Sequence, residues 1–225
     1  MFNRRLSAWL AGFAPLAATL LVLPALPDTI PAHFGLDGSA DRFGSKYEML
    51  VLPIITVLMG LFWVLINKTA LKDKETGTQN LKVLYWADIS VSLLFTALTL
   101  WFLRLSYIRA ESIYAADTDI DFMKAITVCV SLGYILAGNI LPKCKRNHWV
   151  GIRVRWTLES EDTWHKTHRF AGRVFTVGGA FSALVCLFLP SGLLPFVFAL
   201  AVMPLVMVVP AIIYARRVFP GTGGA

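Results

Sequence analysis

The chain has 225 residues, of which 56% are hydrophobic, and carries a formal net charge of +7. Its long uncharged apolar runs exclude a soluble domain of this size and indicate a polytopic membrane protein, with room for six spans and short loops. Three cysteines, an odd number, do not make a disulfide framework.

Residues 1–67 read as an N-terminal two-span unit. Arg4 and Arg5 precede an apolar run at 6–26. The apolar core of a cleaved signal peptide is roughly 7–15 residues long. This run is longer, so a retained span is expected. Residues 27–48 are polar and rich in Pro and Gly, which predicts a structured, turn-rich extracytoplasmic loop that acts as a lid on the helix ends. Its candidate functional residues are Pro31, His33, Gly38 and Lys46. His33 invites a metal reading but has no second strong ligand at a suitable spacing. Asp37 and Asp41 lack the alternating oxygens of a calcium loop. A second span follows at 49–67.

Residues 68–121 comprise a basic loop at 68–82, a third span at 83–103 and an acidic outer loop at 104–121 with Glu111, Asp117, Asp119 and Asp121. Asp88 lies inside the third span, near its basic end. An acid at the bilayer centre costs roughly 2.5–3.5 kcal/mol on insertion scales, and less nearer the interface. Asp88 is therefore expected to face the bundle interior and to meet a cation, with Arg153, Arg169 and Arg173 as candidates. An ion-paired structural acid explains it as well as a functional one.

Residues 122–217 hold the chemistry. A fourth span at 122–141 meets Pro142, whose ring opposes the carbonyl of Gly138, so a helix ends or bends there. Lys143, Lys145 and Arg146 mark the exit from the bilayer, and Trp149 and Trp156 suit a headgroup boundary. From 150 to 156 apolar and basic residues alternate, which predicts an extended or strand-like segment. Ser160 before Glu161 and Asp162 reads as a helix cap with first-turn acids. Beyond it, Trp164, His168, Gly172 and Phe175 share one helix face. One helix is therefore expected to run from the loop into a fifth span ending at 189. A sixth span at 196–215 contains Pro204 and Pro210 as kinks and closes on Arg216 and Arg217. Cys129 and Cys186 lie in apolar runs as packing residues, and the tail 218–225 is expected to be disordered.

Gly138, Asn139, Leu141, Pro142, Lys143, Asn147, Gly151, Ile152, Arg153, Trp156, Thr157, Leu158, Trp164, His168, Arg169 and Gly172 stand at spacings that resemble the C-terminal signature of the SdpI family of bacterial membrane proteins. Val154 and Arg155 stand where many relatives have Pro and Thr, and Cys144 and His165 fall outside the pattern. Pro27, Ile30, Pro31, His33, Phe34, Gly38, Asp41, Gly44 and Lys46 resemble a small domain of unknown function that often precedes that signature. The family is named for an immunity protein that protects a producing cell from its own secreted killing peptide, and that also resembles a receptor holding a repressor at the membrane. The resemblance implies an all-α, six-span protein of the bacterial cytoplasmic membrane, with lipid, a secreted antimicrobial peptide and a cytoplasmic repressor as partners. It places the functional signature in the loop 142–168 and its flanks, on Asn139, Pro142, Asn147, Gly151, Arg153, Trp156, Thr157, Trp164, His168 and Arg169.

Other chemistries are weaker. Cys144, His148, His165 and His168 are zinc-type ligands, but their spacing is loose and two fall outside the family pattern. Asp88, Asp162 and His168 are conceivable acid–base groups, yet no nucleophile elbow, HExxH or phosphate loop accompanies them, so no enzyme and no cofactor are expected. The alternative is a small transporter or an envelope-homeostasis protein. Transport needs polar residues along a path, and spans one, two, five and six offer almost none beyond their ends. No nucleic-acid motif surrounds the basic loop, so no direct nucleic-acid binding is expected.

Of the 21 Lys and Arg residues, 16 fall in the N-terminus, the second loop, the signature region and the C-terminus. The bias of positive charge toward the inside then puts both termini and the signature loop in the cytoplasm. Cysteine substitution checks this. Labels at Ser39 and Thr118 should react from outside, and labels at Thr78 and Ser160 from inside; external labelling of Ser160 would reverse the topology.

Overall fold

The computed structural model describes residues 4–35, 40–70, 77–111, 122–147, 150–189 and 192–220. Of residues 4–5, 69–70, 77–79, 108–111 and 122, only the backbone is described. Gly38, Asp37, His148, Trp149, most of the acidic outer loop and the last five residues lie outside this set.

The helices are α1 (Arg4–Val22), α2 (Val51–Ala70), α3 (Gly77–Glu111), α4 (Phe122–Ile140), α5 (Arg155–Glu159), α6 (Glu161–Phe188), α7 (Leu193–Val197) and α8 (Met203–Val218). Six helical stretches are long and apolar enough to cross a membrane, the last being α7 and α8 together over Leu193–Val218. The protein is thus a six-span helical membrane protein. Its surface is apolar: Leu21 is 81% exposed and Phe188 85%. Such exposure suits lipid and not water.

Within the spans, short polar side chains bond to their own helix. Thr19, Thr56, Thr96, Thr99, Ser131 and Thr176 each donate to the carbonyl four residues back, at 2.7 to 2.9 Å. A bilayer offers these hydroxyls no water, so the local carbonyl is the available acceptor.

α1, α2 and α3 pack together as one unit, α4, α6 and α8 as another, and α3 against α4 joins them. The closest approach is between α4 and α6. A Cβ on Gly172 would run into Pro142 Cγ and lie 2.8 Å from the Gly138 carbonyl. One on Gly138 would run into Thr176 Oγ1 and lie 2.6 Å from the Thr176 amide nitrogen. Further along the same seam the Ser131 and Ser182 hydroxyls are 2.8 Å apart, both fully buried. Helices in a bilayer gain little from the hydrophobic effect, so contact depends on small residues and interhelical hydrogen bonds.

The expected break at Pro142 is present: α4 ends at Ile140 and a single tight turn, Leu141–Lys143, follows. At Pro204 the expected kink takes the form of one wide helical turn, Phe198–Val202, in which the Met203 amide bonds to Phe198 O. The next amide, at residue 204, does not exist because that residue is proline. The Tyr134 hydroxyl of α4 instead donates to Ala199 O at 2.7 Å.

Two expectations change. Residues 27–48 are not built of turns alone: they contain an antiparallel hairpin, β1 (Thr29–Phe34) and β2 (Ala40–Ser45), with Ile30 opposite Gly44 and Phe34 opposite Ala40. Ile30 and Phe34 are buried, and the hairpin packs against α3. The alternating segment 150–156 forms no strand among the described residues. It is extended only to Val154, and Trp156 already sits on α5.

The seam between α4 and α6 yields a stability test. Gly138→Ala and Gly172→Ala force a methyl into backbone and should each cost about 1–3 kcal/mol as overpacking. Gly133→Ala, whose Cβ would meet Leu94 at a comfortable 3.7 Å, should change stability by less than about 0.5 kcal/mol. Thermal denaturation in detergent reads the difference.

Candidate functional site

The signature residues converge at the end of the bundle where α4 leaves and α6 begins. Ser160 caps α6, its hydroxyl accepting from the Thr163 amide at 3.2 Å. This fixes the rotation of the helix, and Trp164 and His168 turn inward with 0% and 1% exposure. Their rings stack, with centroids 4.0 Å apart and an interplanar angle of 21°. The Trp164 indole donates to Cys144 O at 2.8 Å, and Val83, Cys144 and Trp164 form a small core with Ile140, Val150 and Leu158 around it.

His168 is held at both ring nitrogens. Nε2 accepts from the Ile152 amide at 3.0 Å, so the proton sits on Nδ1, which donates to Trp164 O at 2.8 Å. A neutral imidazole with this tautomer is a structural clasp between helix and loop. It has no lone pair left for a metal. Burial pushes the neighbouring Cys144 thiol up to about 12, which disfavours the thiolate a zinc site needs. Among the described residues no three His, Cys, Asp or Glu side chains group as a metal site.

The loop between the helices is knotted by two polar side chains. Asn147 Oδ1 accepts from the Val150 amide at 2.8 Å, and its Nδ2 donates to Lys145 O at 2.7 Å. Thr157, fully buried, donates to Ile152 O at 2.7 Å and accepts from the Val154 amide at 3.1 Å. That reciprocal bond starts α5. Gly151 adopts φ +119°, where a side chain is strained, and a Cβ there would run into His168 Nε2. Two more contacts join the knot to its neighbours: the Lys145 amide donates to Asn80 Oδ1 of α3 at 3.0 Å, and the Arg216 guanidinium of α8 lies over the Trp156 ring, 6.0 Å from its centre.

Other candidate residues lie outside the knot. Asn139 is exposed and donates to Ile135 O of its own helix at 2.9 Å, so it does not bridge the Pro142 break. Arg153 and Arg169 are exposed. Asp88 is buried, but it meets none of Arg153, Arg169 and Arg173. Ser92 Oγ donates to it at 3.5 Å, and it faces α1 and α2. Arg169 and Arg173 are exposed on α6, whereas Asp88 is turned toward α1 and α2, which is why the expected pairing fails.

In the hairpin, Lys46 is paired with Asp28 at 2.9 Å and closes its base. Pro31 is buried and His33 is exposed, 2.6 Å from Asp41. Arg42 and Glu48, absent from the expected set, form an ion pair at 2.7 Å beside Gly44, where a Cβ would strike the Glu48 carboxylate. Asn80 was also not foreseen: in sequence it is one more polar residue of a basic loop.

Residues 143–215 match the model of the SdpI/YfhL protein family, and residues 10–57 match that of DUF1648, a domain of unknown function. The chain is 25% identical over 171 residues to the immunity protein SdpI of Bacillus subtilis (strain 168), covering 76% of this chain and 75% of that protein. It is 44% identical over 57 residues to an uncharacterized protein of Archaeoglobus fulgidus, covering 22% of this chain and 31% of that one. No solved structure matches. The chain is a multi-pass membrane protein whose C-terminal region matches the SdpI/YfhL family model, and the knot lies in that region.

Gly151 and Thr157 give the knot a direct test. Gly151→Ala should cost about 1–3 kcal/mol of local strain, and Thr157→Val should leave backbone groups unpaired at a similar cost of roughly 1–3 kcal/mol. Both should speed trypsin cleavage at Arg153 and Arg155 in purified protein, whereas Lys143→Arg should not. Unchanged cleavage in both variants would show that the knot does not hold the loop.

Proposed function

We propose that this protein is an integral membrane immunity protein and receptor that confers resistance to a secreted antimicrobial peptide. The observation that carries the reading is the folded knot itself. The residues of the SdpI-family region do not form a loose basic tether. Asn147, Gly151, Thr157, Trp164 and His168 make a surface of fixed shape. The similarity to an immunity protein over three quarters of that protein's length supports the same role.

In this reading the hairpin and the lipid-facing helices meet the peptide from outside. The knot faces the cytoplasm, as the distribution of positive charge indicates, and presents the output surface on which a repressor is held. The exposed Arg153, Arg155 and Arg169 flank it. Their part is to set the charge of the surface and to anchor it at the headgroups, while the buried residues set its shape.

Expression in a sensitive cell tests the proposal against peptides secreted by the source organism. The protein should raise the concentration of one of them needed to kill. Asn147→Ala should remove that protection with membrane abundance unchanged, because it unties the loop without touching a span. If no secreted peptide kills less well in its presence, the immunity reading falls. Uptake assays with drugs or osmolytes then decide between a transporter and an envelope-homeostasis protein.

A further inference from the structure

The N-terminal half contains a cavity to which the immunity reading gives no role. α1, α2 and α3 line a partly open cavity of about 240 Å³ near the start of α3. Two deeply buried acceptors line it. Asp88 is 5% exposed, and among the described residues its one hydrogen bond, from Ser92, is a long 3.5 Å. An ionised carboxylate offers about four acceptor positions, so most are unused. Asn67 is 6% exposed, and its Oδ1 is buried with no hydrogen-bond partner among the described residues. Lys68 and Tyr85 also line the cavity, but neither donates to the carboxylate or the amide oxygen. Lys68 is exposed.

A buried acceptor without a donor keeps the desolvation penalty with nothing to offset it. Two of them in one cavity call for a ligand that brings its own N–H groups. The walls identify the rest of that ligand. Trp9 and Phe13, stacked at 5.8 Å, form an aromatic side. Gly12 is buried, yet a Cβ built on it meets nothing within 4 Å, so it opens onto the space. The volume far exceeds that of a bare metal ion, and the surroundings are largely apolar and aromatic.

We propose that this cavity binds an organic ammonium, a protonated amine with an apolar body. Its N–H groups donate to Asp88 and Asn67, and its body lies against Trp9 and Phe13, where the ring faces also favour a cation.

The test uses the full chain purified in a neutral maltoside detergent and titrated calorimetrically with phenethylammonium. Phenethyl alcohol, of the same shape but neutral, is titrated in parallel. A charge-assisted hydrogen bond contributes about 1.5–3 kcal/mol, so the ammonium should bind at least about tenfold more tightly than the alcohol. Asp88→Asn should erase that difference. Gly12→Leu, which fills the cavity and leaves Asp88 in place, should abolish binding of both compounds. Equal affinity of the two compounds, no binding of the ammonium by the wild-type protein, or a preference that survives either substitution would overturn the proposal. None of these outcomes depends on peptide resistance, so the two readings fail separately.

Discussion

The close crossing of α4 and α6 at Gly138 and Gly172 is the constraint on which the C-terminal half depends. Two backbones can approach this closely only where both lack a side chain. The crossing brings Pro142 over Gly172, so the chain leaves α4 directly above α6 and not away from it. Trp164 and His168 lie about two turns and one turn before Gly172 on the same face. They meet the departing chain where it must turn, and the indole and imidazole take the backbone groups that the turn exposes. The knot is thus a continuation of the helix seam beyond the bilayer. At the other end, the buried Ser131–Ser182 contact fixes the same seam in register.

α3 is attached to this arrangement at one point and to a different one a turn or two later. Asn80 accepts from the loop, and Val83 packs on Trp164 and Cys144. Asp88 faces the opposite way, toward α1 and α2. Both contacts are made by one continuous helix, so the loop side and the cavity side share its placement. The N-terminal unit is therefore not a separate anchor. Its third helix forms part of the wall against which the signature region is built.

Much of this architecture was legible because the signals were local. Apolar runs gave the spans, Ser160 with its two acids gave the start of α6, and Pro142 gave the end of α4. Each depends on residues within one turn of chain. The failures share the opposite property. The alternation from 150 to 156 reads as a strand, but no partner strand faces it. The Thr157 hydroxyl captures Ile152 O and the Val154 amide and winds the chain into α5 instead. The hairpin was hidden because Pro31 and the glycines read as turn formers. In a two-stranded ribbon every strand is an edge, and an edge tolerates proline. Asp88 was legible as a buried acid, but its neighbours were not, because they come from α1 and α2, and no local signal in the sequence says which face of α3 those helices cover.

The treatment of polar groups inside the spans separates structural from functional residues more sharply than their identity does. Serine and threonine carry one hydroxyl, and for Thr19, Thr56, Thr96, Thr99, Ser131 and Thr176 a carbonyl four residues back accepts it, so each of these is satisfied by its own helix whatever the neighbouring helices do. Tyr134 is satisfied across helices, but by a carbonyl that Pro204 leaves without an amide donor, so both groups gain. Asp88 and Asn67 follow neither pattern. Each is buried, and each keeps acceptor capacity that its own helix cannot fill, because a helix offers spare carbonyls along its length but no spare amide donors beyond its first turn. An acceptor in mid-span must therefore look outside its helix, and in this protein both look into the same cavity.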